Sequence, residues 1–293
     1  MIVACIPAYN EERDLGPIVI KAAKFVDKII VCDDGSNDLT SEIAKRLDCD
    51  LIVHEHRLGK GVALKTLFER AIELKADIIV TLDGDGQHRP EDIPGIIEPI
   101  LNGDADIVVG SRFINDYNNV PTHRIIGNNV MTSFTRLLSS DVFKDLTDSQ
   151  SGFRAFDKSI LEDIKLKEKG MGVDSEILIA ASKNKIKIKE VPISVIYNGD
   201  EGSTFGPVHH GFDVFYSLFK IASDQKPMLF FGLPGVILII IGLFFSFRVL
   251  NIFYDIGEIA IGSALISVSL MVIGFLSITT AIILQVIQNN KNL

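Results

Sequence analysis

Two aspartates, Asp83 and Asp85, stand two residues apart at the end of the apolar run Ile78-Ile79-Val80-Thr81-Leu82, with Gly84 between them and Gly86 behind. Carboxylate oxygens spaced in this way suit a hard divalent cation, Mg²⁺ or Mn²⁺, which in turn holds the phosphates of a substrate. The glycines admit backbone angles and close approaches that other residues refuse. An Asp-Gly turn after a strand is also ordinary turn chemistry, so the pair gains weight from its company. Three further polar clusters follow apolar runs: Pro7-Ala8-Tyr9-Asn10-Glu11-Glu12, Asp33-Asp34-Gly35-Ser36 and Gly110-Ser111-Arg112.

The elements that must position these clusters are legible. Apolar runs at 2–6, 28–32, 51–53, 78–82 and 107–109 alternate with helical patterns at 15–26, 40–47, 61–74 and 93–101. The pattern predicts an α/β fold: a mostly parallel sheet buried on both faces and flanked by helices. Ligands of such sheets bind beyond the carboxyl ends of the strands, which is where all four polar clusters fall. No Gly-x-Gly-x-x-Gly follows the first run, and no Gly-x-x-x-x-Gly-Lys-Ser/Thr occurs anywhere. This argues against a dinucleotide oxidoreductase and a P-loop nucleotidase.

The net charge of −9 argues against nucleic acid as a partner, because a phosphate backbone demands a broad basic face. Cys5, Cys32 and Cys49 form no Cys-x-x-Cys pair and read as reduced thiols in or near the core. His54, His56, His88, His123, His209 and His210 lack the spacing of zinc ligands. The N-terminus reads as a first strand and not as a secretory signal.

The chain changes character towards its end. From Met228 to Phe247, and again from Ile259 to Ile287, no residue is charged. At 1.5 Å per residue the first stretch spans roughly 30 Å, the thickness of a hydrocarbon core, and the longer second stretch must tilt or protrude. The reading is a transmembrane hairpin over 227–293, with spans at about 228–250 and 259–287 joined by a short acidic turn. Lys220, Lys226 and Lys291 flank its outer ends, whereas Arg248 alone lies near the turn. By the positive-inside rule this places both termini in the cytoplasm of a two-span membrane protein. Ser263 and Ser267 offer a small-xxx-small spacing for helix contact. Phe212, Phe215, Tyr216 and Phe219 share one helical face within 209–226, as in a helix lying on a bilayer or packed on a core. That leaves 1–208 as the domain bearing the polar clusters.

Taken in order, Ile-Pro-Ala-Tyr-Asn-Glu-Glu, Asp-Asp-Gly-Ser, Asp-Gly-Asp-Gly-Gln, Gly-Ser-Arg and Ser-Gly-Phe-Arg make a specific set. With them the chain resembles the family-two glycosyltransferases of the GT-A fold. Within that family it looks like the polyprenyl-phosphate sugar synthases, the dolichyl-phosphate mannose, glucose or N-acetylglucosamine enzymes. The resemblance spans roughly residues 1–226, and the hairpin fits the membrane-bound members. It implies that Pro7, Tyr9 and Glu11 line a nucleoside pocket and that Asp33 or Asp34 reads the base or ribose. It makes Asp83 and Asp85 the metal motif, with Asp85 the direct ligand and Gln87 assisting, while Gly84 lets the diphosphate approach. It assigns Arg112 and Arg124 to the lipid phosphate.

The implied reaction moves a hexose or N-acetylhexosamine from a UDP- or GDP-sugar to a polyprenyl phosphate at the cytosolic membrane face, with inversion. A phosphate monoester has a second pKa of about 6, so the acceptor needs no general base; it needs cations, and guanidinium grips phosphate bidentately. Two departures bear on the acceptor: Asn128 stands where relatives carry a small or hydroxyl residue, and the loop at 198–204 is acidic where they are often basic. A processive synthase is disfavoured by the absence of tryptophan. A non-catalytic sugar-nucleotide binder and a transferase with a non-lipid acceptor stay open, as does the oligomeric state. Lys60 reads as a diphosphate contact or a solvated loop lysine, Arg154 as an acceptor contact or a loop pin, and Asp174 as a catalytic carboxylate or a helix cap.

Overall fold

The structure is a computed structural model, and it describes residues 1–114, 122–139, 145–161, 166–184, 186–196, 216, 219–220, 223 and 226–291. The chain divides into two units, Met1–Leu218 and Phe219–Leu293.

The first unit is built on a seven-stranded sheet of order β3-β2-β1-β4-β6-β5-β7. Its strands are β1 Ile2–Ala8, β2 Lys28–Asp33, β3 Asp50–Val53, β4 Ile78–Thr81, β5 Ile107–Ser111, β6 Arg154–Asp157 and β7 Ile188–Pro192. Pairing is parallel except at β6, which runs antiparallel to both β4 and β5. The helices are α1 Leu15–Ala22, α2 Thr40–Arg46, α3 Lys60–Glu73, α4 Ile93–Leu101, α5 Thr122–Leu138 and α6 Val173–Lys183. The expected parallel α/β sheet is borne out. The sequence pattern misses β6, β7, α5 and α6 and runs α1 four residues too long.

Side-chain alternation explains why the runs are apolar throughout. Along β1, Val3 and Cys5 pack with Leu67, Phe68 and Phe156 on one face of the sheet, whereas Ala4 and Ile6 pack with Leu15, Ile18 and Ile96 on the other. A strand whose two faces are both covered has no position left for a polar residue. Polar residues therefore begin where the strands end, at one rim.

In the second unit a π-helical turn, Met228–Gly232, leads into a helix over Leu233–Ile256, and a second helix covers Ile261–Lys291. Each is long and apolar enough to cross a membrane, with mean hydropathy of 2.6 and 2.4. The first helix runs past the expected end near 250, and Gly257 closes it in the left-handed region at φ 77°. The two helices touch through glycine. A Cβ on Gly235 would lie 2.7 Å from the Gly274 carbonyl oxygen, and a Cβ on Gly274 would lie 2.6 Å from that of Gly235. Ser267 donates to the Gly242 carbonyl (2.8 Å) and meets the Ser246 hydroxyl at 2.7 Å, which satisfies polar groups inside an apolar pair. The helix expected over 209–226 falls mostly outside the described residues, and the acidic loop at 198–204 falls wholly outside them.

Candidate active site

The loops after β1 and β2 are knitted together. Asn10 N–H donates to Ser36 Oγ (2.9 Å), Glu11 N–H to Thr40 Oγ1 (2.8 Å), and Asn37 N–H to Asn10 Oδ1 (2.9 Å). Asn10 takes up φ 56°, a region that asparagine tolerates. Beside this knot the Arg57 guanidinium lies over the Tyr9 ring, 4.2 Å from its centroid.

Both carboxylates of the Asp33-Asp34 pair are used internally. Asp33 is 1% exposed and accepts from Ser36 N–H (2.8 Å) and from the Ser41 hydroxyl. Asp34 accepts from the backbone N–H groups of Leu58 (2.9 Å) and Gly59 (2.8 Å) and pairs with His54 Nδ1 at 2.7 Å. Asp34 fixes the 57–59 loop and with it Arg57.

Asp83 and Asp85 are placed differently. Asp83 is wedged against the backbone of Gly152, where a Cβ would come within 2.3 Å of its carboxylate. Its Oδ1 meets Lys60 Nζ at 2.7 Å, and the same ammonium reaches Asp174 Oδ2 at 3.0 Å. Lys60 is therefore a bridging cation and not a solvated loop lysine; its side chain is only 14% exposed. The approach is enforced by its neighbours. A Cβ on Gly59 would lie 2.3 Å from the Lys169 carbonyl oxygen, and one on Gly61 2.1 Å from that of Glu168. Burial opposes the Lys60 charge, but Asp174 and Asp83 outweigh it and hold the ammonium well above the ordinary lysine range. For Asp83, burial is outweighed by Lys60, His88 and Arg112, and the carboxyl is held at about 2. His88, stacked near Phe153 at 5.3 Å, is pushed down to about 4 chiefly by burial and accepts from Asp83 N–H at Nδ1 (3.4 Å).

Asp85 lacks such a cation. Burial, and then the charge of Asp83, lift it to about 6. Its Oδ1 accepts from Gln87 N–H (3.0 Å). Glu11 sits close by, its Cγ 3.3 Å from where a Gly84 Cβ would be, with the Pro7 carbonyl oxygen at 3.2 Å from the same point. Burial, followed by Asp85, Asp14, Asp83 and Asp38, raises Glu11 to about 8. Among the described residues no group of three or more His, Cys, Asp or Glu side chains is arranged to hold a metal ion. The donor set nevertheless fits Mg²⁺ or Mn²⁺: two or three mutually repelling carboxylates whose charge a cation would relieve, with the remaining ligands left to phosphate and water.

The arginines fall at and beyond the end of β5, the next parallel strand past β6. Arg112, just past β5, is clamped by Asp148 through Nε–Oδ2 (2.6 Å) and Nη2–Oδ1 (2.8 Å). Arg124, in the first turn of α5, donates to Gln87 Oε1 (3.0 Å) and so joins the acidic pair to the arginine side. Asn128 is buried and donates to the Thr147 carbonyl (2.8 Å). The remaining site candidates resolve as braces. Arg154, 1% exposed, donates to the carbonyls of Ser151, Asp174 and Ser149, so it pins its loop. Asp174 holds Lys60 from the start of α6.

Sequence reasoning missed Asp148 and Glu190, the latter accepting from Thr147 N–H (2.8 Å) and Asp148 N–H (2.9 Å). It also missed the patterning of α5. Asn128, Thr132, Thr135 and Ser139 face inwards, whereas Ile126, Val130 and Leu137 are 60, 50 and 49% exposed. The polar side of this helix is buried and its apolar side is bare, the reverse of an ordinary surface helix.

A mostly parallel sheet with one reversed strand, carrying an acid pair and an arginine pair at a single rim, is the architecture of a GT-A glycosyltransferase. Residues 3–165 match the family described as "Glycosyl transferase family 2", and the chain belongs to it. It is similar to the UDP-N-acetylglucosamine–dolichyl-phosphate N-acetylglucosaminyltransferase of Methanococcus voltae, at 40% identity over 75% of this chain and 96% of that protein. It also resembles a dolichyl-phosphate hexose transferase of Haloferax volcanii, at 30% identity over 74% and 92%. Among solved structures, glucosyl-3-phosphoglycerate synthase from Mycobacterium tuberculosis in complex with Mn²⁺ and UDP superposes with a TM-score of 0.60, covering 75% of this chain and 79% of that one. Its sequence identity is 21%, so that likeness speaks for the fold alone. The family and fold expected from the motifs are thus borne out, and the chain is a glycosyltransferase.

Proposed function

We infer that this glycosyltransferase moves a sugar from a nucleotide diphosphate to a polyprenyl phosphate at the cytosolic face of a membrane. The observation that carries the reading is the meeting, at one rim, of the under-neutralised pair Asp83–Asp85 with Arg112 and Arg124. The first pair suits a cation-bound diphosphate, and the second suits a phosphate acceptor. The two relatives named above, both dolichyl-phosphate enzymes, support this acceptor, and the first makes UDP-N-acetylglucosamine the donor to try first. The bare apolar side of α5, which begins beside Arg124, suits contact with lipid, and the two apolar helices of the second unit suit anchorage.

In this reading Pro7, Tyr9 and Glu11 line the nucleoside pocket, with Arg57 stacked on Tyr9 and held there by the loop that Asp34 ties down. Asp83 and Asp85 hold Mg²⁺ or Mn²⁺, with Gln87 assisting, and Gly84 gives the diphosphate room. A divalent cation at these oxygens supplies Lewis-acid relief of the charge that develops on the leaving diphosphate. Arg112 and Arg124 align the acceptor phosphate, which at neutral pH attacks without a base and inverts the anomeric centre. Lys220, Lys226 and Lys291 at the outer ends of the hairpin, against Arg248 alone near its turn, favour cytoplasmic termini.

The test is incubation of membranes bearing the protein with radiolabelled UDP- and GDP-sugars, followed by lipid extraction. Label is expected in an acid-labile lipid fraction that needs Mg²⁺ or Mn²⁺. Label confined to a water-soluble product would replace the lipid acceptor, and no transfer from any donor would favour a binding role.

A further inference from the structure

Arg112 does not stand alone at the rim. Asp148, fully buried, accepts from its Nε and Nη2 as a fork and also from its backbone N–H at 3.3 Å. Asp148 is itself set from behind. Glu190, on β7, accepts from Asp148 N–H through Oε1 and from both Thr147 N–H and Thr147 Oγ1 (2.9 Å) through Oε2. Thr147 Oγ1 also meets Ser111 Oγ at 2.6 Å, beside Arg112. The geometry points to Asp148 and Glu190 as positioning residues for the proposed chemistry of this site: together they fix the orientation of the Arg112 guanidinium towards the acceptor phosphate. The inference rests on the reading of Arg112 as a phosphate contact.

The physical case is one of direction. A long arginine side chain loses considerable rotamer entropy when it binds, and a bidentate carboxylate removes that loss beforehand. The carboxylate holds the Nε–Nη2 edge, so the orientation of the whole guanidinium is inherited from Asp148. Asp148 Oδ2 accepts from Arg112 Nε and N–H, and Oδ1 from Arg112 Nη2 and Gln150 N–H (3.2 Å), so its lone pairs are taken up within the protein. It is therefore a brace and not a general base, in keeping with an acceptor that is already anionic.

The test uses the full-length protein in detergent with Mn²⁺ and UDP bound, and measures the affinity for dolichyl phosphate by calorimetry. Arg112→Ala and Asp148→Asn are each expected to weaken it by about 10- to 100-fold, the scale seen when an outer partner of a binding group is removed. UDP–Mn²⁺ affinity should not change. The double variant should bind no worse than Arg112→Ala alone, because Asp148 acts through the arginine. In turnover, the acid limb of the pH–rate profile should survive in Asp148→Asn. Multiplying effects, an unchanged affinity in Asp148→Asn, or loss of that limb would each overturn the brace while leaving Arg112 as a contact. An unchanged affinity in Arg112→Ala would instead overturn the role of Arg112 and the brace with it. Should Asp148→Asn lose UDP–Mn²⁺ binding through misfolding, Glu190→Gln carries the same comparison with Asp148 left in place.

Discussion

Two pairs of aspartates end two strands of one sheet, and they meet opposite fates. Asp33 and Asp34 are surrounded by hydrogen-bond donors, the N–H groups of Ser36, Leu58 and Gly59, the Ser41 hydroxyl and His54. Between them Asp83 and Asp85 have one lysine, held by Asp83 and divided between it and Asp174. The first pair is complete and holds a loop. The second is short of positive charge, and the deficit surfaces in the raised Asp85 and Glu11. Composition does not separate the two; the number of donors converging on each carboxylate does. Under the proposed function, the cation would go where folding leaves acid unbalanced.

The comparison can be broken most sharply at Asp85. Asp85→Ala is expected to cut turnover by about 10³-fold, the order attached to one lost electrostatic contact in the transition state. Thermal unfolding without metal should show no loss of stability, since one of two repelling carboxylates is gone. A destabilised but active Asp85→Ala would merge the two pairs into one class. Asp34→Ala should do the reverse. It leaves the Leu58 and Gly59 amides and His54 without their acceptor, at a cost of about 2–4 kcal/mol in urea unfolding.

Gly152→Ala probes the wall behind Asp83. A methyl group within 2.3 Å of that carboxylate must displace it or the loop, for about 1–3 kcal/mol of stability, with divalent-ion affinity falling alongside. The smallest effect is on pH dependence. Glu11 is raised from 4.5 to about 8, so across pH 6.5–8 the folded chain binds more protons than the unfolded one, and stability should fall as pH rises through that window. Below pH 6.5 the lowered His88 works in the opposite direction. Differential scanning calorimetry should show Tm dropping from pH 6.5 to 8 without metal and holding level with Mn²⁺ and UDP. A Tm that climbs over that window without metal would contradict the buried, charge-crowded Glu11.

Much of this was legible in the amino-acid sequence, and the boundary has physical causes. Of the five strands read correctly, β1, β2, β4 and β5 are buried on both faces, so periodicity is replaced by an unbroken apolar run; the edge strand β3 is only half-buried. β6 begins with Arg154 and ends with Asp157, and it is a strand only because β4 and β5 offer edges on either side. α5 hides its polar residues and bares its apolar ones, so its moment points the wrong way for a surface helix. The acid pair announces itself within three residues, whereas the role of Lys60 depends on Asp174, 114 residues further along. Asp148 and Glu190 likewise acquire meaning only when β7 is laid beside β5. Chemistry carried by adjacent residues is readable; chemistry carried by converging ones waits for the fold.

The reversed strand has one more consequence. Because β6 descends where its neighbours climb, Arg154 pairs with Thr81 and Val109 near the exits of their strands, whereas Asp157 lies opposite Ile78. The segment entering β6 is thereby delivered to the rim of the candidate site, and the segment leaving it is carried to the far edge. Sequence grafted immediately before residue 154 would therefore land at the rim that carries Asp83 and Arg112, whereas the chain after 157 turns at the opposite edge and buries Ile160 and Leu161 in the core.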